Sequence, residues 1–469
     1  MTQTTTIHGE KISLLRVLGP GHVWALGVGI VLVGEYMGWN FSVGKGGAMA
    51  ALIACWVAGL LYTCVAMIDS EVTSTVAAAG GQYAQAKHIV GPLMAFNVGL
   101  FLVFAYTMLE AANAITLGYL IQTVGGMMGM TDAAGEALVL HDKPFIVLTI
   151  MFLAWLNYRG VYATLTFNLV ITAIAFLAII ILFFAVKPWT TEVLQHEELL
   201  TGLPYGWIGV IAALHFGLWY YLGIEGTCQA AEEVRSPARS LPLGTMTGIM
   251  TLLIAATMTW FICAGLMPWE YLGQAVTPLF DAARLMDSMP LMVLLFIGTI
   301  FSTLASANGC INDASRAWFS MARDRYLPQW FGAVHPKYRT PYRAIVFLVP
   351  VAVLFAYYAP LDQVITFSIL SGLLGYTFMT FNVVMFRRKW PLGSIDRGYV
   401  HPMHPLPALV LLLLCSATYF AVFLGYGTQL MAMMLFFIIA SLWFHFHRYR
   451  YVRRGDQFSM PWPRPQGDY

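Results

Sequence analysis

Long apolar stretches separated by short polar breaks dominate this chain, and they leave little choice of fold. They run near residues 20–43, 47–69, 93–124, 144–158, 161–187, 206–230, 242–267, 289–320, 342–359, 362–387, 405–424 and 428–447. About 20 apolar residues in a helix cross the hydrocarbon core of a bilayer, whereas barrel strands are stretches of about ten with alternating polarity. The lengths predict an all-α membrane protein with twelve transmembrane helices. The third and eighth runs exceed a single crossing, which predicts tilt or extension beyond the bilayer. Composition agrees: 10% of residues are charged, against about 25% in a soluble domain.

Basic residues set the orientation. With both termini in the cytoplasm, only Lys45, Lys143, Lys187 and Arg284 of the 25 Lys and Arg fall on the far side. That side instead holds Glu192, Glu197, Glu198, Glu270 and Asp281. The positive-inside rule therefore predicts a multi-pass protein of the cytoplasmic membrane. The expected organisation is a cytoplasmic segment 1–19, a transmembrane domain 20–447 and a cytoplasmic tail 448–469, in which Pro461 to Pro465 reads as disordered. Met1 to Arg16 is polar and leads into the first span without a cleavable signal peptide. The six cysteines all lie in apolar runs and read as buried free thiols, neither a disulfide framework nor a metal site. Beyond the lipid bilayer, the net charge of +2 points to no macromolecular partner, and no nucleic acid or cofactor is expected.

Within the first span, Gly34-Glu35-Tyr36-Met37-Gly38-Trp39 puts a carboxylate at membrane depth. Such a group costs at least ~2.5–3.5 kcal/mol on insertion scales, so it reads by default as functional. The alternative is an acid near a helix end, paired or reaching water. Gly34 and Gly38 let the helix break or a ligand approach bare backbone. The sixth span is also rich in glycine and carries an acid, Glu225, after His215, Trp219 and Tyr220. Two broken spans at matching positions hint at internal symmetry and a midplane site.

Three segments carry a family resemblance. The first is Ser70-Glu71 with Ala79-Gly80-Gly81-Gln82-Tyr83 and Gly91-Pro92. The second is Glu225 followed by Ala231-Glu232-Glu233-Val234-Arg235-Ser236-Pro237-Ala238-Arg239-Ser240-Leu241-Pro242. The third is Ser306-Ala307-Asn308-Gly309, Ser315-Arg316, Met321-Ala322-Arg323-Asp324 and Leu327-Pro328, then His335-Pro336-Lys337 and Thr340-Pro341. In this order the chain resembles the amino acid–polyamine–organocation (APC) transporter superfamily. Trp24 to Phe41 and Gly223 to Pro242 look most like bacterial ethanolamine permeases. The resemblance implies a secondary transporter working by alternating access. Its fold would be a five-plus-five inverted repeat (20–187 and 206–387) with discontinuous first and sixth helices, followed by two C-terminal helices (405–447).

Amino-acid carriers of that superfamily hold a substrate carboxylate on the bare backbone of a Gly-Ser-Gly-like turn. This chain has Gly34-Glu35-Tyr36 there, which would repel a carboxylate and attract an ammonium by several kcal/mol at ~4 Å and an effective dielectric of ~20. The expected cargo is a small organic amine, with an amino acid as the alternative. Tyr36, Trp39, Tyr106, Trp219 and Tyr220 are candidate cation–π partners, and His215 reads as ligand contact or hydrogen-bonded structure. Glu110 reads equally as a second binding acid or a structural one, with Asn113 on its helical face as a possible partner. Glu225 suits gating or substrate contact, and Asp69 and Glu71 a structural or gating role. Glu232 and Glu233 beside Arg235 and Arg239 suit cytoplasmic ion pairs that break and reform, or simply a solvated loop, with Pro237 and Pro242 stiffening it.

The energy source stays open. Some relatives use a fifth-span lysine in place of sodium, and Gly160 to Val186 has none. Ser302, Thr303 and Ser306 are the hydroxyls available for a sodium ion, though such groups also satisfy helix carbonyls. A proton is the other coupling candidate, and the membrane field alone supplies ~2.3 kcal/mol per charge at 100 mV. An intramembrane enzyme would need a nucleophile–base pair or metal cluster, and no HExxH, GxSxG or Cys/His set is present.

Overall fold

The structure is a computed structural model that describes residues 6–7, 10–11, 16–127, 143–191, 202–286 and 288–452. Glu192, Glu197, Glu198 and the Pro461–Pro465 tail lie outside the described residues. Among the described residues, the regular structure is helical except for a two-residue strand pair, Thr6–Ile7 with Glu10–Lys11. The helices are α1 (Pro20–Met37), α2 (Trp39–Gly46), α3 (Ala48–Thr75), α4 (Gln82–Ile89), α5 (Pro92–Met127), α6 (Lys143–Arg159) and α7 (Val161–Val186). They continue as α8 (Gly206–Gly217), α9 (Pro237–Leu266), α10 (Trp269–Leu272), α11 (Pro278–Arg284), α12 (Met289–Arg323), α13 (Tyr342–Tyr358), α14 (Leu361–Lys389) and α15 (Leu406–Trp443).

Eight of the described helices are long and apolar enough to cross a membrane, or nine if α1 and α2 count as one span. α6 and α13, at 17 residues each, are shorter. The last two expected spans fall within α15, whose 38 residues would reach ~57 Å if straight, twice the hydrocarbon thickness. It is not straight: Tyr426 leaves helical geometry at φ −139° and ψ 40°. Tyr426 sits 5.4 Å from the Lys45 ammonium in α2, while Ser441 hydrogen-bonds Asn97 near the start of α5 at 2.6 Å. Val422, Met433 and Phe437 share one apolar cluster. The chain therefore turns back at Tyr426.

The two expected helix breaks differ in kind. α1 stays helical through Glu35 to Met37 and bends by 54° at Gly38, so the break lies one turn beyond Gly34. α8 ends at Gly217 and gives way to short 3-10 turns at Leu218–Tyr220, Ile224–Cys228 and Ala231–Glu233. Gly223 lies in this segment at φ +112°, where a Cβ would also meet Ile30 of α1 at 2.3 Å. Only glycine meets both demands. Pro237 and Pro242 belong to α9 rather than to a loop. Pro237 takes the first helical position, where a missing N–H costs nothing, and Pro242 forgoes one hydrogen bond in the second turn.

One end of the bundle is held by ion pairs, one of them buried and the others half-buried. Glu233 takes a bidentate bond from Arg316 of α12 at 2.7 and 3.0 Å, and Glu232 pairs with Arg323 at 3.1 Å. Lys87 of α4 meets Asp324 at 2.6 Å. Leu18 bridges Val234 in parallel, and the Val17 and Leu18 amides donate to the Glu233 carbonyl. These partners correct the expected pairing of Glu232 and Glu233 with Arg235 and Arg239. Each acid instead meets an arginine of α12. Asp69 accepts from Thr73, Gln82 and Gln85, and Glu71 is clamped by Arg387, Arg397 and the His401 amide. At the opposite end the bent α2 packs glycine to glycine: a Cβ on Gly46 would lie 2.6 Å from the Gly209 carbonyl oxygen.

Candidate functional site

Glu35 lies in the last turn of α1 and is fully buried. Its Oε2 accepts from the Thr259 hydroxyl of α9 at 3.3 Å, while Oε1 has no hydrogen-bond partner. Thr259 is a poor donor to it. A threonine has one O–H, and the Ala255 carbonyl competes for it at 3.0 Å. No cationic side chain pairs with Glu35 among the described residues. A buried carboxyl so poorly served is unusual, because burying a charge unpaired is costly.

Aromatic rings close one side. Trp39, just past the bend, stacks on Tyr220 at 4.2 Å and donates to Thr259 at 3.0 Å. The Tyr220 hydroxyl shares a 2.5 Å hydrogen bond with Ser42 and reaches the Gly38 carbonyl at 3.2 Å. Cys55 and Tyr221, joined at 3.2 Å, lie within electrostatic reach of Glu35. Gly34 and Gly38 make this packing possible. A Cβ on Gly34 would stand 2.7 Å from the Trp219 carbonyl oxygen, and one on Gly38 would stand 3.0 Å from the Trp219 ring.

Six of the residues singled out in the sequence thus gather here: Gly34, Glu35, Gly38, Trp39, Trp219 and Tyr220. The others have different surroundings. Tyr36 points to α7, where its hydroxyl donates to the Ala175 carbonyl at 2.7 Å, because successive residues of a helix are rotated by ~100°. His215 packs against Phe216 and Tyr426 at 4.3 and 5.0 Å. Glu225 accepts from the Tyr376 hydroxyl at 2.7 Å and from the Gly223 amide at 3.2 Å. Tyr106 and Glu110 line a separate cavity. Asn113 does not serve Glu110: it donates to Ser306 at 2.8 Å.

The hydroxyls considered for sodium are engaged with backbone. Ser302 and Thr303 donate to Thr299 at 2.9 and 2.8 Å, and Ser306 to the Ile30 carbonyl of α1. Beside them an asparagine ladder ties four helices together. Asn157 donates to Asn308 at 2.8 Å, Asn308 to Asn168 at 3.4 Å, and Asn168 to the Ala25 carbonyl at 3.2 Å. At the ion-paired end, burial raises the Glu232 carboxyl, but Arg323 and the Ala79 amide together hold it below its ordinary value.

Sequence reasoning missed Thr259, Tyr376 and Asp313. The first two are unremarkable residues in apolar runs and gave no signal. Asp313 is a fully buried acid in α12 with one oxygen unpartnered, and the argument applied to Glu35 would have found it.

A profile described as amino acid permease matches residues 18–464. The chain belongs to that family. This bears out the superfamily resemblance, and with it a multi-pass membrane transporter rather than an enzyme. An uncharacterized transporter of Rhizobium meliloti is 78% identical over the whole of both chains. A methylthioribose transporter of Bacillus subtilis is 25% identical, covering 87% of this chain and 88% of its own. A branched-chain amino acid permease of the same organism is also 25% identical, covering 86% and 87%.

Proposed function

We propose that this family member imports a small organic amine, of the ethanolamine kind, across a bacterial cytoplasmic membrane by alternating access. In this reading the transporter has twelve crossings in the five-plus-five arrangement, both termini face the cytoplasm, and the ion-paired end is the cytoplasmic one. Glu35 receives the ammonium, and Trp39 and Tyr220 supply the aromatic wall. The observation that carries the reading is the unpartnered Oε1 of a fully buried Glu35. An ammonium has donors to spare for it, whereas a substrate carboxylate would meet like charge.

An amino acid is the second reading, favoured by the family description and by the branched-chain permease among the relatives. Binding to the purified protein separates the two. Ethanolamine should bind about tenfold or more tightly than serine or alanine, given the several kcal/mol between the two signs of charge beside Glu35. Comparable affinity for serine would overturn the amine reading. Counterflow of labelled ethanolamine in liposomes then tests carrier behaviour directly.

A further inference from the structure

Asp313 lies on α12 three residues before Arg316, so the two share a face of that helix. Asp313 is fully buried. Its Oδ1 accepts from the side-chain amide of Asn312 at 2.8 Å, while Oδ2 has no hydrogen-bond partner. That oxygen lies against the broken segment after α8, where a Cβ added to Gly226 would collide with it. Within electrostatic reach of Asp313 are Glu225 and Glu233 of that segment, Tyr106 of α5, and Cys310 and Arg316 on α12 itself. Arg316 is the cation among them, and its nitrogens are engaged by Glu233 and the Asn312 carbonyl. Glu225 has two donors, the Tyr376 hydroxyl and the Gly223 amide, where Asp313 has one. Like charges in one buried site disfavour joint ionisation, and the worse-served carboxyl is the one that stays neutral.

We propose that Asp313 is a proton-binding site, and that its proton is the one this transporter moves together with its substrate. While the Glu233–Arg316 pair is closed, Arg316 is neutralised by Glu233 and Asp313 holds a proton on Oδ2. When the ion-paired end opens and Glu233 draws away with its segment, Arg316 loses its carboxylate. Asp313, one turn back on the same helix, takes that place. Its O–H bond breaks, the proton passes to water at the opened end, and the new carboxylate pairs with Arg316. Neither state leaves a buried charge alone, which is what burial penalises. Closing returns Arg316 to Glu233, and Asp313 takes its next proton from the opposite side. Proton release is thereby tied to opening, in the direction of symport into the cytoplasm. The inference rests on the transporter reading with the ion-paired end cytoplasmic, and not on the identity of the cargo.

Infrared difference spectra of the purified full chain at neutral pH read the proton directly, with no substrate present. Subtracting Asp313→Asn from wild type should leave the carbonyl stretch of a protonated carboxylic acid. Glu233→Gln frees Arg316 and should lose the same band, whereas Arg316→Met should keep it. Glu233→Gln needs no Asp313 variant to fold and reads the exchange by itself. Coupling is read in proteoliposomes with labelled ethanolamine. An inside-alkaline gradient of about one pH unit should raise wild-type accumulation by up to about tenfold for each proton moved, and Asp313→Asn should abolish that response. The proposal is overturned if the Asp313→Asn difference shows an ionised carboxylate, if Glu233→Gln keeps the acid band, or if Asp313→Asn responds to the gradient as wild type does. Should wild type not carry ethanolamine at all, the amine reading falls, and the infrared comparison decides this one.

Discussion

Replacing Arg316 by methionine would strand Glu233 in the interior. The two side chains meet through two hydrogen bonds, Nε to Oε2 at 2.7 Å and a terminal nitrogen to Oε1 at 3.0 Å. They are 3% and 1% exposed, so water does not substitute for the lost partner. Removing one member of such a buried pair costs about 3–5 kcal/mol. With ~2.1 cal/mol/K of unfolding entropy for each of 469 residues, that is a Tm loss of roughly 3–5 °C. The loss has a pH signature. Burial raises the Glu233 carboxyl, with Arg316 opposing. Without Arg316 the group escapes its penalty by binding a proton, so the deficit of Arg316→Met grows as pH rises above the unfolded carboxyl's value of ~4.3. Thermal unfolding of the detergent-purified protein, followed by intrinsic fluorescence, measures it. Glu233→Gln with Arg316→Met should recover most of the loss, because no buried charge is left alone. A single variant within ~0.5 kcal/mol of wild type, or a double variant no better than the single, would refute the reasoning. If the pair also breaks when this end opens, the same 3–5 kcal/mol shifts the resting population toward the open form by about a hundredfold or more, read as faster labelling of a cysteine placed at Ala79.

Glu35→Gln should cut uptake of ethanolamine in proteoliposomes about tenfold or more, since losing a buried charge-assisted pair costs ~2–5 kcal/mol, while size-exclusion profiles stay monodisperse. Gly34→Ala places a Cβ 2.7 Å from the Trp219 carbonyl oxygen, so it should lose transport through displaced backbone and lower Tm by an amount equivalent to ~1–3 kcal/mol. Asn308→Ala cuts the ladder between α6, α7 and α12 and should cost ~1–3 kcal/mol for the polar groups it leaves unserved, seen as a lower Tm. Burial pushes the His401 imidazole down to about 4, with Glu71 opposing and Arg387 adding. The unfolded chain protonates near 6.5, so stability falls as pH drops from about 6.5 toward 4. His401→Gln should flatten that acid limb in Tm-against-pH measurements.

Much of the architecture was legible in the sequence, because the bilayer imposes it residue by residue. An unpaired backbone group cannot survive in hydrocarbon, so long apolar runs become helices wherever they occur. The expected spans 161–187 and 289–320 match α7 and α12 to within three residues, while 47–69 starts with α3 but ends six residues before it does. The strength of Gly34 and Gly38 as signals is equally local, and both pack against the broken sixth segment. Depth in the membrane marked Glu35, Glu110 and Glu225 as costly groups needing an explanation, whatever their neighbours.

What those acids face was decided only by tertiary structure. Periodicity says which residues share a face of one helix, not what another helix brings opposite. Glu35 meets Thr259, 224 residues away, and Glu233 meets Arg316 across 83 residues, rather than the arginines beside it in sequence. Asn113, one turn from Glu110, turns to Ser306 across 193 residues. A rotation of ~100° per residue separates Tyr36 from Glu35 and sends one ring to α7 while the carboxyl faces α9. Local chemistry could state that each buried charge needs a partner, but only the packing of distant helices could choose that partner or, as at Glu110, withhold it.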